Sequence, residues 1–358
     1  MERYLGLDAH GSSCTFAVVG PSGRKLRQDV VETNGTALVR YLRSIPGRKH
    51  LCLEEGTSSA WLYEILSPHV EEIVVAGLTE RRRGQKNDAL DAFQWAEELR
   101  TRTIKTPVFK APRRFSRLRE LSRVHSMLVR DVVRVQGRLK AMYRARGIPT
   151  PGASVYGASG REAWRAKLPL SCRWATEKLY EEYDCLRALR QEAERELVTE
   201  ARRHPISKIL VTAPGMGPIR VAQLLPIVVT PHRFRTRSQF WAYCGLAIVM
   251  RSSSDWVRSK SGEWVRAQVQ QTRGLNRNHN SRLKGIFKGA ATTIVTQLTS
   301  DPLHEHYLRL TSAGSKPNLA KLTIARRVAA IVLRMWKDEK EYDPNELKQQ
   351  EILASATG

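Results

Sequence analysis

Residues 4–9, 13–19 and 25–32 are three runs of strand-forming residues separated by gaps too short for a helix, the second gap containing Pro21-Ser-Gly-Arg24. Such gaps allow only antiparallel neighbours, so the chain must open with a β-meander. The pattern then changes. A helix is predicted around 36–45, a strand over 50–54, a helix over 58–68, a strand over 71–77 and a helix over 87–101. A meander followed by alternating helices and strands specifies a mixed sheet with helices on both faces.

Such a sheet sets the C-terminal ends of its first and fourth strands side by side. The first carries Asp8, in Tyr4-Leu-Gly-Leu-Asp-Ala-His10, and the fourth carries Glu54, in His50-Leu-Cys-Leu-Glu-Glu55. Lys86-Asn-Asp-Ala-Leu-Asp91 opens the following helix, and its Asp88 and Asp91, three apart, share one helix face. Four converging carboxylates repel one another unless a divalent cation offsets their charge. Magnesium suits oxygen-only ligands, and a pair of ions can clamp the attacking and leaving oxygens of a phosphodiester. A lone Asp after a strand is commonly a turn residue, and an Asp pair on a helix commonly faces water. The order in which these acids occur is what favours a metal centre.

The rest of the composition narrows the partners. A chain of 358 residues with 41% hydrophobic content supports two or three domains with real cores. No run approaches the roughly 18 uncharged apolar residues of a membrane span, and the N-terminus lacks signal-peptide character. A cytoplasmic protein with no membrane partner is expected. Cys14, Cys52, Cys172, Cys185 and Cys244 are scattered and lack metal-ligand spacing, as buried thiols would be. The net charge is +25, unevenly placed. Residues 1–100 carry 13 Lys and Arg against 14 Asp and Glu, residues 101–150 carry 14 against 2, and residues 201–300 carry 16 against 2. A near-neutral acid-bearing region followed by two basic ones is the footprint of a nucleic-acid partner.

Beyond Thr106, Pro107 and Pro112 mark a linker. Leu118, Leu121, Leu128, Val132, Val135, Leu139 and Met142 then recur at helical spacing. Arg113, Arg114, Arg117, Arg130, Arg134 and Arg138 flank or line this helix and are candidate nucleic-acid contacts. Residues 147–170 read as a loop. Leu179, Tyr183, Leu186, Ala193 and Leu197 mark a second amphipathic helix, the pair forming an antiparallel hairpin or a coiled coil of one or more chains. In Ile209-Leu-Val-Thr-Ala-Pro-Gly-Met-Gly-Pro218, Gly215 and Gly217 give either a plain turn between helices or a helix-hairpin-helix element that receives a phosphate. Phe240-Trp-Ala-Tyr-Cys-Gly-Leu246 leads to Arg251-Ser-Ser-Ser-Asp-Trp256, where the serines suit a phosphate loop, a linker or a nucleophile. Arg251, Arg258, Arg273, Arg277, Arg282, Lys284 and Lys288 add donors for phosphates and base edges. A helix over 318–337 closes the region, and the tail beyond Asp343 is expected to fray.

Taken together, the GLDAH strand with Asp8, CLE ending at Glu54, KNDALDA with Asp88 and Asp91, PGMG, FWAYCGL, the serine cluster and RGLNRNHNSRLK resemble the DEDD-type insertion-sequence transposases, also called bridge recombinases. The similarity runs to about residue 337. It implies a RuvC-like (RNase H-type) α/β catalytic domain over 1–106, a linker and coiled-coil helices over 107–205, a mostly α-helical transposase domain over 206–340 and a tail over 341–358. It implies that Asp8, Glu54, Asp88 and Asp91 bind Mg2+, two ions per composite site. Ser253 is implied as the residue that becomes linked to DNA, with Ser252 and Ser254 one step away, and Glu55 stands beside Glu54. The implied partners are target and donor DNA, a noncoding bridge RNA that pairs with both, and a second copy of the chain, in a homodimer that assembles to a tetramer. Other readings are a metal-dependent nuclease of the Holliday-junction type with water as nucleophile, and a non-catalytic nucleic-acid-binding protein. A sugar-kinase-like ATPase is disfavoured because no second Gly-rich phosphate loop follows.

Overall fold

The structure is a computed structural model and describes residues 1–77, 88–111, 113–250, 256–259, 261–266 and 272–345. Two compact units divide the chain, Met1–Arg114 and Phe115–Gly358. In the first, β1 (Glu2–Ala9), β2 (Ser13–Val19) and β3 (Lys25–Glu32) form the meander. They are followed by α1 (Gly35–Ser44), β4 (Arg48–Glu54), α2 (Ser59–Leu66), β5 (Glu72–Ala76), α3 (Asp88–Arg100) and β6 (Pro107–Val108). The six strands lie in the order β3-β2-β1-β4-β5-β6. β1 runs antiparallel to β2 and parallel to β4, while β5 is parallel to β4 and antiparallel to β6.

Strand alternation divides the apolar residues between two layers. Leu5, Leu7, Phe16, Val18, Leu51 and Leu53 face α1 and α2, where Leu38, Leu42, Leu62 and Leu66 complete one core. Tyr4, Cys52, Val74 and Ala76 face the other way, onto Trp95 and Leu99 of α3. Burial pushes the Cys52 thiol up to about 12, as expected of an inert packing residue. Gly6 fixes how closely α3 approaches, since a Cβ there would meet the Ala92 carbonyl oxygen at 1.8 Å. The sequence reads as linker from Pro107, but Pro107–Val108 pair with Ala76 and Val75. A two-residue edge strand beginning at proline carries no periodicity, and at an edge proline's missing N–H costs little.

The second unit is mostly helical. Its stem is α4 (Ser116–Arg144) and α6 (Leu170–Arg202), with the short α5 (Arg161–Ala166) between them, in a stretch read from sequence as loop. Arg117 reaches Glu196 and Glu200, Arg138 reaches Glu182, and the Tyr143 and Tyr180 hydroxyls meet at 3.0 Å. Residue numbers rise along one helix as they fall along the other, so the pair is an antiparallel hairpin within one chain. Val132, Val135 and Leu139 pack against Tyr180 and Tyr183 at its centre. Then come α7 (Pro205–Leu210), α8 (Pro218–Val228), α9 (Arg237–Tyr243), β7 (Ile248–Met250), β8 (Trp256–Arg258), β9 (Trp264–Arg266), β10 (Thr272–Leu275), α10 (Ser281–Gln297), α11 (Pro302–Ser312) and α12 (Pro317–Asp338). α12 packs on α10, burying Ile324, Val328, Val332 and Trp336. The six-stranded mixed sheet followed by a mostly helical part is compatible with an RNase H-like N-terminal domain. Among the described residues no helix is long and apolar enough to cross a membrane.

Candidate functional site

The parallel register of β1 on β4 pairs Leu7 with Leu53, so Asp8 and Glu54 are the next neighbours at the two strand ends. Alternation turns both away from the α1–α2 core and toward α3. Asp8 is 5% exposed, its strand being buried on both faces. The first turn of α3 brings Asp88 and Asp91 to the same layer, at a helix N-terminus whose dipole favours negative charge. Gly6 allows this approach by letting the α3 backbone rest on β1.

A histidine that the carboxylate argument did not single out completes the cluster. His10 Nε2 lies 3.3 Å from Asp8 Oδ2 and 3.2 Å from Asp88 Oδ2. One ligand atom from each of Asp8, His10 and Asp88 falls within 4.8 Å of the others. The signal in sequence is the Asp-x-His spacing, since His10 follows Asp8 by two residues just beyond the end of β1. Two carboxylates and an imidazole, converging from the end of β1 and the start of α3, could hold a divalent ion, and the oxygen donors suit Mg2+ or Mn2+. Glu54, at the end of β4, and Asp91, in the first turn of α3, are not part of this group of three.

Glu55 has a different environment. Its Oε2 accepts from Lys110 Nζ at 2.5 Å and from the Ser59 hydroxyl at 3.1 Å. Lys110 is 13% exposed, so this pair joins the segment after β6 to the start of α2.

In the second unit two sequence segments meet. The Asn280 N–H donates to the Tyr243 carbonyl at 2.9 Å, and Asn276 reaches the carbonyls of Ala242 and Ala247. Gly245, at φ 68°, lies so close to His279 that a Cβ would meet its ring at 2.3 Å. The FWAYCGL helix end and the RGLNRNHN loop are thus one packed element, with β7 and β10 paired beneath it. Arg251, Ser252, Ser253 and Ser254 lie outside the described residues, as does the side chain of Arg273.

The candidate nucleic-acid residues sort by environment. Arg113, Arg114, Arg117, Arg130, Arg134, Arg138, Arg258, Arg277, Arg282 and Lys288 are exposed, and Lys284 is half-buried. Several stem arginines already have acids nearby, Arg117 with Glu196 and Glu200, Arg134 with Asp131 at 3.1 Å and Arg138 with Glu182 at 3.4 Å. Gly215, at φ 70°, is packed on α10, where a Cβ would strike the Ala290 carbonyl oxygen at 2.5 Å; Gly217 opens onto free space at the start of α8. A cleft of about 330 Å³ lies between α4, α8 and α10, lined by Ser122, Ser126, Arg220, Gln223, Arg282 and Gly289. Burial lowers the Arg220 guanidinium from its ordinary value, and its Nη1 donates to the Gly215 carbonyl at 2.6 Å. Arg220 and Gln223 were not picked out from sequence, because an isolated polar residue on an apolar helix carries no pattern.

An acid-and-imidazole cluster that could hold a divalent ion, on one face of a mixed sheet and followed by a basic helical unit, suits a protein that acts on nucleic acid. Residues 5–145 match the DEDD-type family described as Transposase, and residues 207–308 match the family described as Transposase IS116/IS110/IS902 family. The chain is 25% identical to an uncharacterised 44.8-kDa protein of insertion element IS116 from Streptomyces clavuligerus, covering 95% of this chain and 96% of that protein. The chain belongs to the DEDD-type insertion-sequence transposases.

Proposed function

We propose that this transposase cuts and rejoins target and donor DNA through a phosphoserine intermediate, guided by a noncoding bridge RNA that pairs with both. The convergence of Asp8 and Asp88 on one face of the sheet, in a transposase chain, is the observation that carries the reading. Asp8, Glu54, Asp88 and Asp91 would hold Mg2+, two ions per site, in a RuvC-like domain. When bound, the ions polarise the scissile phosphate and offset its charge.

Ser253 is the nucleophile. Its Oγ forms the bond to phosphorus as the bond to one deoxyribose oxygen breaks, and the departing hydroxyl takes up the proton that the serine gives up. The phosphodiester energy stays in the phosphoserine, so a hydroxyl on another strand can reverse the step and rejoin DNA without a high-energy cofactor. The serine and the acids come from different protomers, in a homodimer that assembles to a tetramer. Arg277, Arg282 and Lys288, which are exposed, and the open Gly217 turn would take phosphates of DNA or RNA backbone.

The test is a denaturing-gel search for a covalent protein–DNA adduct, with full-length protein, Mg2+, RNA transcribed from the flank of the element and matching DNA. An adduct lost in Ser253→Ala and in Asp8→Asn supports the reading. Cleavage with no adduct means that water is the nucleophile and that the enzyme is a nuclease of the Holliday-junction type.

A further inference from the structure

We propose that the β8–β9 hairpin is a stacking platform for unpaired bases of a DNA strand. The hairpin pairs Trp256 with Arg266, Val257 with Val265 and Arg258 with Trp264. Cross-strand partners share a face and successive residues alternate, so Trp256, Arg258 and Trp264 lie on one side. The Arg258 guanidinium sits 5.7 Å from the Trp264 ring centroid. Val257 and Val265 occupy the other side, together with Glu263, the hairpin's one acidic residue, whose carbonyl accepts from the Ser259 N–H at 2.8 Å.

Both sides are largely open to water. Trp256 is 58% exposed, Trp264 62%, Val257 44% and Val265 40%. A two-stranded ribbon is marginal by itself, and both tryptophans leave more than half of their surface to water. Charge decides what would cover them. The tryptophan face carries Arg258 and no acid, within a region of 16 basic and 2 acidic residues. Indole beside guanidinium is the surface on which unstacked bases lie, the cation meeting the phosphates and the rings meeting the bases. The strand is assigned to DNA because the chain is a transposase and the hairpin begins two residues after Ser254. The assignment rests on the recombinase reading above.

The experiment uses full-length protein in EDTA at fixed salt, with fluorescein-labelled dT20, a duplex of equal length and rU20, read by anisotropy. The Trp256→Ala/Trp264→Ala double variant should bind dT20 about 10- to 100-fold more weakly. The double Phe variant should restore most of that affinity, and duplex binding should change less than about twofold, since a stacked duplex offers no free base faces. Circular dichroism melts should agree closely for all three proteins, because both indoles are more than half exposed. Unchanged dT20 affinity in the double Ala variant would overturn the proposal, as would equal losses on dT20 and duplex. A loss confined to rU20 would assign the hairpin to RNA and overturn it too. If the hairpin is idle while the adduct still forms, only this inference fails; wild-type protein that binds no DNA at all would sink the recombinase reading with it.

Discussion

Lys110 Nζ lies 2.5 Å from Glu55 Oε2 and donates to the Ser59 hydroxyl at 3.1 Å. The adjacent carboxylates of Glu54 and Glu55 thereby differ in environment: Glu55 ties the end of the sheet to α2, and strand register sets Glu54 next to Asp8 on the side that faces α3. Glu55→Gln should therefore lower the unfolding free energy by about 1–2 kcal/mol, a half-exposed ion pair being worth less than a buried one, and leave Mn2+ binding intact. Glu54→Gln should do the reverse, with an unchanged melting temperature and weakened metal binding. Thermal melts and Mn2+ titration of the two variants check this. Metal binding that follows Glu55 would exchange the two roles.

Gly6 is the point at which α3 touches the sheet. In Gly6→Ala the new methyl would overlap the Ala92 carbonyl oxygen, which no side-chain rotation relieves. We expect a loss of about 3 kcal/mol, at the upper end of overpacking costs, because backbone has to move. The displaced helix would also carry Asp88 away from Asp8, so the variant should show weaker Mn2+ binding than wild type even at temperatures where it remains folded. Intact metal affinity in a folded Gly6→Ala protein would mean that Asp88 does not depend on this contact.

The strand-end positions of Asp8 and Glu54 can be read from sequence, for a physical reason. Strand alternation is rigid, so the apolar register of Leu5, Leu7, Leu51 and Leu53 fixes which way Asp8 and Glu54 face. His10, one residue beyond the end of β1, lies beside Asp8, and a pattern of carboxylates alone does not reveal it. What sequence could not supply is whatever a distant residue decides. The ion pair of Glu55 depends on Lys110, far along the chain, and β6 exists only because the edge of β5 is there to pair with. Gly215 is similar: its pattern suits a phosphate turn, yet its Cα is set against the Ala290 carbonyl of α10.

His125 should make the helical unit acid-sensitive. It is 5% exposed on α4, with Gln223 of α8 3.2 Å from Nδ1 and Glu194 of α6 3.9 Å from Nε2. Burial holds its imidazole below the ordinary value of 6.5, with Arg190 adding to the effect and Glu194 opposing it. The unfolded chain therefore binds a proton at a pH where the folded one does not. Stability is at its full value above pH 6.5 and declines as pH falls toward the lowered folded-state value. His125→Gln should flatten this part of the profile, seen as a smaller drop in melting temperature between pH 7.5 and 5.5. Identical drops in both proteins would place the acid sensitivity elsewhere.

The placement of His10 between Asp8 and Asp88 carries the last prediction. Its Nε2 is within 3.3 Å of one oxygen from each, so an ion that these carboxylates hold would have the imidazole beside it. Mn2+ accepts nitrogen together with oxygen ligands more readily than Mg2+ does. His10→Ala should weaken Mn2+ binding about 10-fold, as loss of a group that orients or joins a ligand set does, and weaken Mg2+ binding less. Asp8→Asn should weaken both severely, because it removes charge as well as a donor. Electron paramagnetic resonance titration of free Mn2+ reads this without reference to activity, and Mg2+ competition gives the second affinity. If His10→Ala binds both ions as wild type does, the histidine is a neutral neighbour and the site is held by its carboxylates.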